Sequence, residues 1–191
     1  MNLAKIGFLE SLTLDETSGV MGAILVTDSE TKPLEFRVTA PIKTTNFQKT
    51  LYGDVLMEHV LVELIALPLI SALNEELDLI LVKDALFLGA HNKQGIRLIH
   101  IFAQDNQQPI PQKGAEELKP HKANGQKVFI QTSPKYEAEL PQIRDLLNSI
   151  SEQRNFLEPF SRLKLACEQV HLQKTNESKI CTKNYASLLQ K

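Results

Sequence analysis

The segment from Arg37 to Gly53, RVTAPIKTTNFQKTLYG, holds the densest chemistry in this sequence. Arg37, Lys43 and Lys49 supply cations, and Thr44, Thr45, Asn46, Gln48 and Tyr52 supply hydrogen-bonding groups around an expected helix start. Unpaired backbone N–H groups and the positive end of a helix dipole favour an anion at such a place. The candidate anion or nucleic-acid contacts are therefore Arg37, Lys43, Thr44, Thr45, Lys49 and Tyr52. Phe47 or Tyr52 could stack on a base while the cations hold phosphates. The plain alternative is that the threonines only cap, the lysines are solvated and the two aromatics pack. No glycine-rich phosphate loop of either the Walker or the dinucleotide-binding kind occurs in the chain.

A second group lies on the apolar stretch that follows. His59 and Glu63 stand four apart, with Glu58 beside His59, so a helix turns the pair to one side. They are the two residues that could begin a metal site, but such a site needs three or four ligands. His91 and His100 are candidates to complete it, and nothing in the spacing brings them near. No metal and no cofactor is expected. Nucleophilic catalysis has little to work with: Cys167 falls on the apolar stripe of a late helix, with His171 one turn on, and buried helical thiols are ordinarily packing.

The elements that must position these residues can be read from periodicity. Lys5–Leu9 is a short strand, followed by a polar connection from Thr13 to Gly19. Val20–Thr27, VMGAILVT, is apolar at both parities, which suits a strand covered on both faces. Leu34, Phe36, Val38 and Ala40 alternate with Glu35, Arg37 and Thr39, completing a hairpin. Phe47–Tyr52 is a first helical piece, broken at Gly53, and Val55–Leu73 is one long apolar helix that Pro68 kinks or shortens. Leu79–Val82 and Ala85–Leu88 read as short buried strands, or as one strand interrupted at Lys83-Asp84, and after a polar turn from Gly89 to Gly95, Ile96–Phe102 returns as another. Gln104–Gln126 reads as a flexible excursion or linker. Lys127–Thr132 adds a late strand. Leu140, Ile143, Leu146, Leu147 and Ile150 form one helical stripe; Phe156, Phe160, Leu163, Cys167 and Val170 form a second.

These elements define an α+β fold: a mostly antiparallel sheet around one long apolar helix, with a C-terminal helical pair. The expected organisation is a core domain at 1–103, the excursion at 104–126, a late strand and helical pair at 127–173, and a polar tail at 174–191. A formal net charge of −2 gives no global basic field for non-specific binding to nucleic acid or membrane. Two cysteines are no disulfide framework, and no basic leader precedes the first strand, so the cytoplasm is the expected compartment. Glu58, His59 and Glu63 make Val55–Leu73 a poor membrane span.

Three strands, a helix and a fourth strand also resemble the opening of the ribonuclease H-like fold. That resemblance implies carboxylates from the first strand, the helix and the end of the fourth strand holding two divalent cations. Glu10, Glu58 or Glu63, and Asp84 fall at those places, so the catalytic set under this alternative is Glu10, Glu63 and Asp84. The first position is Glu rather than the usual Asp, and a hairpin is expected after Asp84 where that fold has a helix. The excess of apolar helix beside a thin catalytic inventory favours an interaction protein over an enzyme. The expected function is a non-catalytic binding or scaffold subunit of an intracellular complex. A protein partner or a second copy of the chain would be its partner, with nucleic acid a further candidate and no membrane. The alternative is a ribonuclease H-like metal-dependent nuclease.

Overall fold

A computed structural model of the chain describes residues 3–13, 19–91, 95–104, 114–121 and 126–188. Much of the polar connection at 14–18, the turn at 92–94 and the excursion at 105–113 and 122–125 lies outside the described residues. Among the described residues, seven strands form one sheet: β1 (Lys5–Thr13), β2 (Val20–Asp28), β3 (Pro33–Val38), β4 (Leu79–Val82), β5 (Leu98–Ala103), β6 (Glu116–Leu118) and β7 (Val128–Gln131). Their order across the sheet is β3-β2-β1-β4-β5-β7-β6. β1 runs antiparallel to β2 and parallel to β4, and β4 runs parallel to β5.

The sheet is therefore mixed, which corrects the mostly antiparallel arrangement expected from the sequence. The error arose at 85–90. Ala85–Ala90 is a 3-10 turn and not a strand, started by Asp84, whose carboxylate accepts from Leu86 N–H at 2.9 Å. The chain uses that turn to cross over, so β5 returns parallel to β4 instead of closing a hairpin. β4 is buried at every residue, as a parallel strand covered on both faces should be.

The single long apolar helix is also corrected. Residues 46–71 form a run of short pieces: α1 (Asn46–Tyr52), a 3-10 turn at Gly53–Val55, α2 (Leu56–His59), a π-helical turn at Val60–Ala66 and α3 (Leu67–Ser71). Gly53 takes φ 51°, a left-handed conformation that glycine adopts without steric penalty, and ends α1. Pro68 falls in the first turn of α3, where its missing N–H costs least, and the wider π turn just before it leaves room for the ring.

Each face of the sheet has its own apolar layer. The helical run presents Leu61, Ile65 and Leu69 to Leu9, Ile24, Ile80 and Leu98. Gly22 permits this contact, because a Cβ there would fall 2.0 Å from Ile65 Cγ2. The opposite face carries Ile6, Phe8, Leu81 and Ile101, covered by α4 (Leu140–Ser151) and α5 (Glu158–Leu188). Phe8 meets Phe160 of α5 edge-on at 5.4 Å between ring centres. Cys167 is buried there as a free thiol, pushed up to about 11 by burial and then by Glu10. No helix among the described residues is long and apolar enough to cross a membrane.

Candidate nucleic-acid site at the carboxyl ends of the central strands

The parallel ladder between β1 and β4 ends at Leu9 opposite Val82, so Glu10 and Lys83 follow at the same level on neighbouring strands. Strand alternation then separates their neighbours by face. Leu9 and Val82 belong to the layer under the helical run, while Phe8 belongs to the layer under α5. Glu10 therefore projects to the α5 face. Burial there raises its carboxyl above the ordinary range, against the opposing pull of Lys83 and Lys164. Lys83 Nζ lies 5.7 Å from the centre of the Phe160 ring on that same face.

His100 pairs with Val82 across β4 and β5 and so faces the helical run. Its Nε2 is 3.2 Å from the Lys83 carbonyl oxygen, and its Nδ1 is buried with no hydrogen-bond partner. Burial lowers its pKa, with the Lys83 carbonyl and Asp84 acting in the other direction. Reading β4 and β5 as parallel would have placed His100 beside Lys83 and Asp84. The expected hairpin hid that juxtaposition.

Glu10, Glu63 and Asp84 do not converge into the cation centre that the ribonuclease H-like resemblance implies. Among the described residues, no three His, Cys, Asp or Glu side chains are grouped so as to hold a metal ion. The sheet explains this: Glu10 points to one face, while Glu63 belongs to the helical run on the other. Asp84 is engaged in starting the 3-10 turn. His59 and Glu63 do come together, with Glu58, Tyr52 and Gly89, around a shallow hollow of about 280 Å³. Tyr52 stacks on His59 at 4.5 Å, and neither His91 nor His100 lines that hollow.

The six candidate anion contacts separate in the same concrete way. Lys43, Thr44 and Lys49 line one hollow of about 590 Å³ together with Thr13, Gly19 and Asp54. Thr45 is committed to a capping box, its hydroxyl accepting from Gln48 N–H while the Gln48 side chain accepts from Thr45 N–H. Tyr52 belongs to the neighbouring hollow with His59. Arg37 points elsewhere, held by Glu35 at 2.6 Å, and Glu35 also accepts from the backbone N–H groups of Asn74 and Glu75.

No protein-family model and no curated protein sequence matches the chain. Solved structures do. The chain superposes on an endonuclease V from Bacillus subtilis with a TM-score of 0.54 and 12% identity, covering 93% of this chain and 83% of the other. An endonuclease V from Streptomyces avermitilis gives a TM-score of 0.56 at 13% identity, covering 91% and 84%. At these identities the likeness is one of fold. It corrects the expectation of a non-catalytic binding or scaffold subunit, because this is a fold on which nucleic-acid-cleaving enzymes are built. The nuclease alternative fits it better. The physical basis of the scaffold reading also weakens, since Val60, Leu61, Val62, Ile65, Ala66, Leu69 and Ile70 are buried in the protein's own core.

Proposed function

We propose that the chain is a nuclease, acting on phosphodiester bonds of nucleic acid at the carboxyl ends of β1 and β4. The observation that carries this reading is the superposition of this fold, with strand order β3-β2-β1-β4-β5 and β1 antiparallel to β2 and parallel to β4, on two endonucleases over most of both chains. In open sheets with adjacent parallel strands, ligands sit beyond the carboxyl ends of those strands. Glu10 and Lys83 follow the last pair of the β1–β4 ladder, Asp84 comes next after β4, and His100 stands on β5 beside the Lys83 carbonyl.

Within this reading Glu10 is the group that exchanges a proton. Its raised carboxyl is closer to working pH than an ordinary glutamate, which favours exchange with a reacting water or leaving oxygen. Lys83 and Lys164 supply positive charge near it. Nucleic acid is the partner this chemistry requires.

The test is cleavage of labelled DNA and RNA oligonucleotides in magnesium or manganese buffer by the unmodified chain and three variants. Glu10→Gln should lower the rate by about 10²-fold or more. Asp84→Ala should lower it as well, by removing the acceptor that starts the 3-10 turn. Glu63→Gln, on the other face from Glu10, should leave the rate within about two-fold of the unmodified chain, a smaller change than proton-transfer groups give. Cleavage that survives Glu10→Gln unchanged would overturn the assignment.

A further inference from the structure

We infer that the hollow beside α1 seats a single-stranded nucleic-acid segment, with phosphates against Lys43 and Lys49 and a base on the exposed ring of Phe47. The inference rests on the nucleic-acid reading of the fold and adds to it a strand state and a binding path.

Position supports it first. Thr13 closes β1 opposite Val20, and Val20 exchanges backbone hydrogen bonds with Ile42 at 3.0 and 2.8 Å. Those contacts fix the chain leading into α1 at the carboxyl end of β1. Thr13 lines the hollow and lies three residues, or roughly 10 Å, beyond Glu10 along the strand. Val20, Ile42 and Leu56 pack in the layer under the helical run, so the hollow opens on the sheet face that His100 shares, opposite Glu10, and a strand lying in it would meet the proposed cleavage edge from that side.

Composition supports it second. The charged residues lining the hollow are Lys43, Lys49 and Asp54, so its rim carries a net positive charge, and Thr44 adds a hydroxyl. The floor is apolar, with Val20, Ile42 and Leu56. α1 buries none of its side chains. Phe47 is 73% exposed and Leu51 66%, and their i, i+4 spacing puts both on one side of the helix. Phe47 stands two residues before Lys49 on a helix that buries none of its side chains, outside the lining of the hollow, and its exposed ring has no packing role. Cations beside an open aromatic face are what a polyanion with unstacked bases recognises. A duplex keeps its bases inside the stack and offers this ring nothing.

The experiment is anisotropy of a labelled oligothymidylate in EDTA, titrated with salt, beside a blunt duplex of equal length and a melting curve for each variant. Phe47→Ala should weaken single-strand binding about ten-fold, within the range for loss of one base–aromatic stack. Phe47→Tyr should restore it, and the melting midpoint should not move. The Lys43→Ala/Lys49→Ala double change should weaken binding and flatten the salt dependence. Absence of binding at low salt, equal affinity for duplex, or unchanged affinity in these variants would each overturn the inference. Cleavage of the same oligonucleotide in magnesium buffer, measured in parallel, keeps the two readings apart. Retained cleavage with unchanged variant affinities sinks the hollow alone. The expected binding pattern without any cleavage sinks the nuclease reading and leaves the hollow standing.

Discussion

Glu10 follows the last residue of β1 that pairs with β4, half-buried under α5, and burial is the main reason its carboxyl is raised. The linkage to stability has a definite sign. The folded protein holds this proton more tightly than the unfolded chain does, so the contribution is fully favourable below the usual carboxylate range and is lost as pH rises through the folded value. Glu10→Gln, which carries no charge, should therefore raise the melting temperature at neutral pH while it lowers cleavage. A variant that melts lower than the unmodified chain at pH 7 would show that the carboxylate is stabilising and the burial argument wrong. His91 and His100 act in the opposite direction, since burial lowers both. Their contribution is present above the ordinary histidine value of about 6.5 and is lost as pH falls through the window below it. At this scale the order of elements names Glu10 and Asp84 as candidates, together with Glu63, which the structure sets on the other face from Glu10. The proximity of Lys83 and His100 is illegible in the sequence because it depends on register between β4 and β5.

The helical run shows why elements are harder to read than strands here. Val20–Thr27 is apolar at both parities, and the structure makes it the buried strand β2, with Ile24 fully buried. Ile24→Asp should abolish soluble expression, because an unpaired buried charge exceeds what a marginally stable domain tolerates. Residues 46–71 carry equally strong apolar content but break into α, 3-10 and π turns. Periodicity alone reports that such a segment is covered and does not report where its axis bends. The contact that fixes it is Gly22 against Ile65, which no spacing rule reveals. Gly22→Ala should destabilise by about 1–3 kcal/mol through overpacking. Combining it with Ile65→Ala, which removes the clashing methyl, should cost less than the two changes summed. Strict additivity in denaturant melts would mean that the helical run does not rest on Gly22.

For the whole molecule, the sequence conveyed an α+β core with strands before and after a helical segment, and even the order that resembles a ribonuclease H-like opening. It misjudged the sheet because two short apolar runs around Lys83-Asp84 were read as strands, when the second is a 3-10 crossover. That one substitution of element type turns a hairpin into a parallel pair, and it moves the carboxyl ends of β1, β4 and β5 to one edge. The scaffold reading follows from an excess of apolar helix beside a thin catalytic inventory, and the sheet covers the buried side of that segment. The central claim is that this edge cleaves nucleic acid. Its most direct test is the rate at which the purified chain fragments an end-labelled single-stranded oligonucleotide in magnesium or manganese buffer, with Glu10→Gln prepared identically beside it. The account predicts discrete fragments that accumulate with time for the unmodified chain and a rate lower by about 10²-fold or more for the variant. Intact oligonucleotide after prolonged incubation with folded protein, or equal fragmentation by both, would contradict it.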